Sequence, residues 1–172
     1  MPEVSPRVVL VGPMGAGKTT VAGLLATAWG ADVRDTDADI ELLEGRSISD
    51  IFVDSGEDHF RDLERTAVAE ALATHEGVLA LGGGAVLDES TRALLADHTV
   101  VFLRVGLSDA TKRVGLGSGR PLLLGNVRSR IKSLLDERTP VYESVATLVV
   151  ETDGREPHEI ADEIVAALGA RA

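Results

Sequence analysis

The sequence predicts a three-layer α/β domain, a parallel sheet covered by helices on both faces. Three observations predict it. Short apolar runs rich in Val, Leu and Ile alternate with stretches of helical periodicity along the 172 residues. A glycine-rich turn, Gly12-Pro13-Met14-Gly15-Ala16-Gly17-Lys18-Thr19, joins the first apolar run to the first helical stretch. Chemically unusual sequences then recur just after the predicted strands or in adjacent loops, and parallel sheets bind ligands beyond the carboxyl ends of their strands.

Taken in order, residues 7–11 give the first strand and 18–29 the first helix, with Val21, Leu24, Leu25 and Ala28 on one face. Residues 31–35 give a second strand, unusually polar through Asp32 and Arg34, ending in Asp35-Thr36-Asp37. A helical piece with Ile40, Leu42 and Leu43 stops at Gly45. Ser47-Ile48-Ser49-Asp50 has a capping pattern and starts a short helix that Gly56 breaks. The next helix carries Phe60, Leu63, Ala67, Val68, Ala71 and Leu72 on its apolar face. Residues 78–81 form the third strand, closed by Gly82-Gly83-Gly84. A helix over 88–97 leads to a strand over 100–103, and Ser108 can cap the helix after it. Residues 115–121 hold three glycines and read as a mobile loop. A basic helix over about 126–138 stops before Pro140. The last strand covers 146–150, and a final helix from Pro157 turns Ile160, Ile164, Val165 and Leu168 inward. No repeat or low-complexity segment interrupts this alternation, so residues 1–172 read as one domain with right-handed crossovers.

Composition narrows the function. Hydrophobic residues make up 44% and charged residues 26%, as in a globular protein with an ample core. Aromatic residues are 3%, so that core rests on Val, Leu, Ile and Ala. The absence of cysteine excludes disulfides, thiolate metal sites and a cysteine nucleophile, and suits a reducing cytoplasm. No secretory leader and no membrane-length apolar run is visible. A formal net charge of −11 argues against nucleic acid as a partner and means that any anion site rests on local basic residues. The chain is expected to work in the cytoplasm as a monomer, without membrane association.

The first glycine-rich turn sits where a phosphate-binding loop must sit. Its glycines let backbone N–H groups turn toward phosphate oxygens, and the helix N-terminus adds partial positive charge. Lys18 supplies a full charge for the β- and γ-phosphates, and the Thr19 hydroxyl can ligate Mg²⁺. On an extended backbone Asp35 and Asp37 point to different environments, one suited to hydrated Mg²⁺ and the other to an acceptor hydroxyl. An Asp before a helix is also an ordinary N-cap. The triple glycine permits close approach of an oxygen-rich ligand, beyond what a tight turn requires. Arg61 can clamp a carboxylate in bidentate fashion, or form a surface ion pair with Glu57 or Glu64. Phe52 and Phe60 suit a core as well as a ligand wall. Between 112 and 138, seven basic residues face two acidic ones, a local reversal of the global charge. Arg120 in its glycine-flanked loop can swing onto a transferring phosphoryl group, and Arg138 can hold an acceptor; Arg128, Arg130 and Lys132 read as a solvated face. The four histidines lack metal-ligand spacing, and Trp29 reads as packing.

Taken together and in order, these motifs resemble the shikimate kinase family. They are the 12–19 turn, Asp35-Thr36-Asp37, Gly45-Arg46-Ser47-Ile48, Gly56-Glu57 with Phe60-Arg61 and Glu64, Gly82-Gly83-Gly84, Arg120-Pro121-Leu122-Leu123 and Arg138-Thr139-Pro140-Val141-Tyr142. The resemblance covers almost the whole chain. It implies a P-loop NTPase fold like that of nucleoside-monophosphate kinases, with a five-stranded parallel sheet of order 2-3-1-4-5. It also implies transfer of the γ-phosphoryl of ATP, with Mg²⁺, to the 3-hydroxyl of shikimate in chorismate and aromatic amino-acid biosynthesis. By position, Gly15, Ala16, Gly17, Lys18, Thr19 and Thr20 would bind the ATP phosphates. Thr19 and Asp35 would hold the metal, and Arg113, Arg155 and Pro157 would flank adenine. Asp37 would contact the acceptor hydroxyl, and Arg61 and Arg138 the carboxylate. Gly82, Gly83, Gly84, Phe52 and Phe60 would line the acceptor pocket over about 35–64, with Glu64 behind them. Arg120 would serve a mobile lid over about 113–126, and Lys18, Asp37 and Arg120 would carry catalysis.

Three other readings remain at this point. A gluconate-type kinase would need a neutral-sugar pocket, against which the pairing of Arg61 with Arg138 argues. A nucleoside-monophosphate kinase would need a second base-reading pocket. A nucleotide-binding regulatory module would need Lys18 and Thr19 but not Asp37, Arg61 and Arg138 together.

Overall fold

The computed structural model describes residues 4–118 and 124–169, with the side chains of 114–118 and 124–127 outside the description. Its elements are β1 (Val8–Val11), α1 (Lys18–Trp29), β2 (Val33–Asp35), α2 (Thr36–Glu44) and α3 (Ile48–Thr74). They continue with β3 (Val78–Ala80), a 3₁₀ turn (Ala85–Leu87), α4 (Glu89–Leu95), β4 (Val100–Arg104), α5 (Leu107–Ser118), α6 (Leu124–Val145), β5 (Leu148–Glu151) and α7 (Pro157–Leu168). Among the described residues the strands form one parallel sheet of order β2-β3-β1-β4-β5, as the family resemblance implies.

The central strand β1 is buried along its whole length. Its alternate residues face opposite layers. Val8 and Leu10 join Val21, Ala22 and Leu25 of α1 and Ile160 and Ile164 of α7. Val9 and Val11 join Val68 and Leu72 of α3, Leu95 of α4 and Tyr142 of α6. A smaller cluster of Ile40, Ile51 and Phe60 ties α2 to α3 beside the sheet. Gly56 lies within α3 at φ 86° and ψ 166°, so the helix is broken where the sequence predicts. Strand β2 lies at the edge of the sheet with Val33 exposed, in keeping with its polar sequence.

Several elements differ from their predicted form. The buried face of α1 is Val21, Ala22, Leu25 and Ala26, while Leu24 is 37% exposed and Ala28 is exposed. The alanines on this face let α1 lie close to the sheet. Leu42 and Leu43 of α2 face solvent, and its buried residues are Thr36 and Ile40. Residues 115–118, predicted as loop, continue α5; residues 119–123 lie outside the described residues. Helix α6 runs through Pro140 rather than stopping before it. The missing N–H of Pro140 costs a helical hydrogen bond, but Tyr142, fully buried against Phe102 at 4.9 Å between ring centroids, fastens the following turn.

The two faces of α1 can be separated by experiment. Leu25→Ala should lower the urea unfolding free energy by about 2–5 kcal/mol through lost burial and a cavity. Leu24→Ala should change it by less than about 0.5 kcal/mol. Similar losses in both variants would contradict the observed face.

Candidate active site

The carboxyl ends of β1, β2 and β3 deliver three loops to one cavity of about 950 Å³. Pro13, Met14, Gly15, Gly17, Lys18, Thr19 and Thr20 form its floor. Asp35 and Asp37 enter from the β2–α2 junction, and Gly82, Gly83 and Gly84 from the turn after β3. Phe52, Phe60, Arg61 and Glu64 come from α3, and Arg138 from α6. A neighbouring cavity of about 250 Å³ is lined by Ala16, Gly17, Thr20, Arg113, Arg155 and Pro157, so Gly17 and Thr20 border both. The structure thus brings together every described residue to which the sequence gives a site role. Arg120 lies outside the described residues.

The 12–19 turn ends on Gly17 at φ 88°, and no side chain caps the first turn of α1. Those first-turn N–H groups are the ones an anion can use. Lys18 Nζ donates to the Gly12 carbonyl at 2.6 Å and the Pro13 carbonyl at 3.1 Å. Burial pushes the Lys18 ammonium down to about 8; Asp37 and Asp35 oppose that shift and Arg138 adds to it. Phosphate oxygens in the cavity would restore its charge.

The Asp35-Thr36-Asp37 stretch is bent, not extended as predicted, because α2 begins at Thr36. The bend separates the carboxylates. Asp35 Oδ1 caps α2 by accepting the N–H groups of Asp37 at 2.8 Å and Ala38 at 3.3 Å. Its Oδ2 lies 3.5 Å from the Thr19 hydroxyl. Asp35 is therefore both the helix cap and the partner of Thr19. A hydroxyl and a single carboxylate, all oxygen, suit a hard cation that keeps most of its waters and binds phosphate. Among the described residues no group of three or more His, Cys, Asp or Glu side chains is placed to hold a metal ion.

Asp37 turns the other way, onto Gly82. A Cβ on Gly82 would stand 2.6 Å from Asp37 Oδ1, and one on Gly84 2.6 Å from both terminal nitrogens of Arg61. The triple glycine is thus the surface on which a carboxylate and a guanidinium lie. Thr36, fully buried, accepts the Gly82 N–H at 3.3 Å, and the Tyr142 hydroxyl donates to the Gly83 carbonyl. Both supporting residues were missed as functional in the sequence. Thr36 is the middle of its own motif, and Tyr142 follows Arg138 by one helical turn, which is the available signal.

Arg61 pairs with Glu64 at 2.7 Å and more distantly with Glu57 at 3.6 Å. Glu64 is 4% exposed, so this is no surface pair. Burial raises the Glu64 pKa, and its hydrogen bond from Arg61 resists that. Burial, then the nearby Asp35 charge, raises the pKa of Asp37, while Lys18 and Arg61 pull it down. Asp37 Oδ1 and Arg138 Nε are buried without a hydrogen-bond partner among the described residues. Unpartnered buried polar atoms are costly and mark places where a ligand supplies the missing bond. Phe52 and Phe60 stack at 4.8 Å between centroids and also line the cavity, so they serve core and wall together. Arg130 is exposed, as a solvated face implies, and also borders the cavity with Ile131, Leu134 and Leu135 of α6. Lys132 also faces solvent, paired with Asp136 at 2.7 Å.

The family described as shikimate kinase matches residues 14–169. The chain belongs to the shikimate kinase family. A shikimate kinase of Salinispora arenicola is 59% identical over 167 residues, covering 97% of this chain and 100% of that one. One from Thermobifida fusca is 58% identical over 165 residues, covering 96% of each. The solved structure of an Acinetobacter baumannii shikimate kinase in complex with shikimate superposes with a TM-score of 0.88 at 35% identity, covering 96% of this chain and 93% of that one. Membership makes the chain an ATP-dependent kinase, a transferase. No described helix is long and apolar enough to cross a membrane.

The glycine platform makes a direct prediction. Gly82→Ala and Gly84→Ala should each lower kcat/KM at least tenfold with far-UV circular dichroism unchanged, because the new methyl displaces Asp37 or Arg61 rather than backbone. Wild-type kinetics in either variant would show that the glycine is dispensable to its partner's placement.

Proposed function

We propose that this chain, as one kinase domain over residues 1–172, transfers the γ-phosphoryl of ATP to the 3-hydroxyl of shikimate, giving shikimate 3-phosphate and ADP. The observation that carries the residue-level reading is that Asp37 and Arg138 line the same cavity as Lys18 and each keeps a buried atom, Oδ1 and Nε, with no hydrogen-bond partner among the described residues. A hydroxyl donor satisfies the first and a carboxylate the second, and shikimate carries both. Gluconate is a carboxylate and not a neutral sugar, so the Arg61–Arg138 pair does not exclude it, contrary to the expectation from the sequence; the apolar wall of Phe52 and Phe60 suits a ring better than an open polyol chain. A regulatory nucleotide switch needs neither atom.

In this reading, the phosphates of ATP lie on Gly15, Ala16, Gly17, Lys18, Thr19 and Thr20, and the base lies between Arg113 and the Arg155–Pro157 loop. The shikimate carboxylate is gripped by Arg61 and Arg138. Phe52 and Phe60 pack on its ring, and Glu64 holds Arg61 in orientation. Asp37 accepts a hydrogen bond from the 3-hydroxyl. As the hydroxyl oxygen bonds to the γ-phosphorus and the bond to the β–γ bridging oxygen breaks, Asp37 takes the released proton and ADP leaves. Thr19 and Asp35 would hold Mg²⁺, which would supply positive charge to offset that of the phosphates. Lys18 neutralises the same oxygens. Arg120 completes a lid over about 113–126 that keeps water from the phosphoryl group. The reading places the protein in the cytoplasm, in chorismate and aromatic amino-acid biosynthesis.

A coupled ADP-release assay tests this, with shikimate, gluconate and AMP as acceptors. Shikimate alone should support turnover at about 1–100 per second. Lys18→Ala and Asp37→Ala should reduce kcat at least 100-fold, while Arg138→Ala mainly raises the shikimate KM, by about 10- to 100-fold. Equal turnover with gluconate, or ATP binding with no acceptor stimulation, would overturn the assignment.

The titrating groups set the pH profile. Asp37 must be ionised and its pKa is raised, so the acid limb of kcat/KM should lie above the ordinary aspartate range. Lys18 must be charged, so the free enzyme should lose activity as pH rises through about 8. Bound phosphates favour the charged lysine, so the alkaline limb of kcat should lie higher than that of kcat/KM. Coincident alkaline limbs would contradict the phosphate role of Lys18.

A further inference from the structure

We propose that Asp109 and Asp153 are positioning residues for the nucleotide, forming a reciprocal clamp that sets the spacing between Arg113 and Pro157. The inference rests on the reading that the base of ATP occupies the smaller cavity.

The phosphate loop and α1 line one side of that cavity; Arg113 of α5, in the segment after β4, and Arg155 and Pro157, in the segment after β5, line the rest. Each of these two segments sends an Asp onto a backbone N–H of the other. Asp153, after β5, takes the Gly106 N–H on both carboxylate oxygens, at 2.8 and 3.0 Å. Asp109, in the first turn of α5, takes the Gly154 N–H at 3.0 Å. The first contact depends on a missing side chain, since a Cβ on Gly106 would stand 2.5 Å from Asp153 Oδ2. The second depends on a turn at Gly154 with φ +67°.

Arg113 connects the clamp to the phosphate loop. One terminal nitrogen donates to the Gly15 carbonyl at 2.8 Å and the other to the Thr152 carbonyl at 3.3 Å. Asp109 lies 3.7 Å from the same guanidinium. Thr152 is fully buried, and both its N–H and its hydroxyl donate to the Arg104 carbonyl at the end of β4. Arg113 is thus tied to the phosphate loop, to the segment after β5 and to Asp109 on its own helix. Neither Asp borders the cavity. They act through Arg113 on one wall and Pro157 on the other, and a flat ring between two walls is sensitive to their separation.

Steady-state kinetics on the full chain tests the clamp. Asp153→Ala and Asp109→Ala should each raise the KM for ATP about three- to tenfold, the scale of one ordinary hydrogen bond, because the lost contacts reach the nucleotide only indirectly. The KM for shikimate and kcat should stay within twofold. Asp153→Asn keeps an acceptor oxygen for Gly106 and should stay within twofold of wild type for both substrates. Gly106→Ala should reproduce the Asp153→Ala signature, and the double variant should be no worse than either single one. If Asp153→Ala does not fold, Asp109→Ala carries the test alone. Arg113→Ala separates the two levels of the argument and should raise the ATP KM. If it does and neither Asp variant does, the clamp is wrong. If Arg113→Ala leaves the ATP KM unchanged, the placement of the base fails and the clamp fails with it. A parallel rise in both KM values that tracks a lower melting temperature would also overturn the proposal, by showing a merely structural role.

Discussion

The turn after β3 leaves room for two opposite charges where side chains would otherwise stand. Asp37 lies against Gly82 and Arg61 against Gly84, each within 2.6 Å of a Cβ position that glycine leaves empty. Much else in the site depends on that packing. Thr36 and Tyr142 fix the platform from below and beside it. Glu64, buried at the end of its pair with Arg61, keeps the guanidinium over the turn. A charge brought this far from water must be paired or must find its partner in a ligand. Asp37 and Arg138 each retain a buried atom in the second condition. The result is a cavity whose polar groups are arranged before any substrate arrives, which is what phosphoryl transfer requires of a protein.

The parallel sheet makes this arrangement possible. β2, β3 and β1 are neighbours, so their carboxyl ends bring the Asp-rich junction, the glycine turn and the phosphate loop side by side. Neighbouring β4 and β5 carry the loops of the smaller cavity in the same way. Gly17 and Thr20 border both cavities, so one helix N-terminus links the place for a base to the place for an acceptor. Shape and charge divide the labour: the larger cavity gathers Lys18, Arg61 and Arg138 in a chain whose net charge is −11.

Much of this was legible in the sequence, for identifiable reasons. The phosphate loop, the order of strands and helices and the break at Gly56 are local signals, carried by glycine spacing and apolar periodicity. The five-stranded order came through the family resemblance, since periodicity cannot rank strands. What sequence reading got wrong depends on tertiary contact. The sequence put Leu24 and Ala28 on the inner face of α1, but the helix is turned so that Ala22 and Ala26 are buried there instead. Pro140 and the glycines at 115 and 117 argued for chain breaks, yet burial of Tyr142 carries α6 through the first and α5 continues through the second. Asp35 seemed to be either cap or ligand, and its two oxygens allow both. Arg130 is solvated as the sequence predicts, and only its place beside the cavity, which follows from the path of α6, is not encoded locally.

The central claim is that two guanidiniums select a carboxylate-bearing acceptor. It is tested most directly by comparing shikimate with its methyl ester in wild-type protein and in Arg138→Ala. Wild type should prefer the acid by about 10- to 100-fold in kcat/KM, and Arg138→Ala should erase most of that preference, because the lost charge and the lost partner are the same interaction. Equal use of acid and ester by the wild type, or a preference that survives intact in Arg138→Ala, would contradict it.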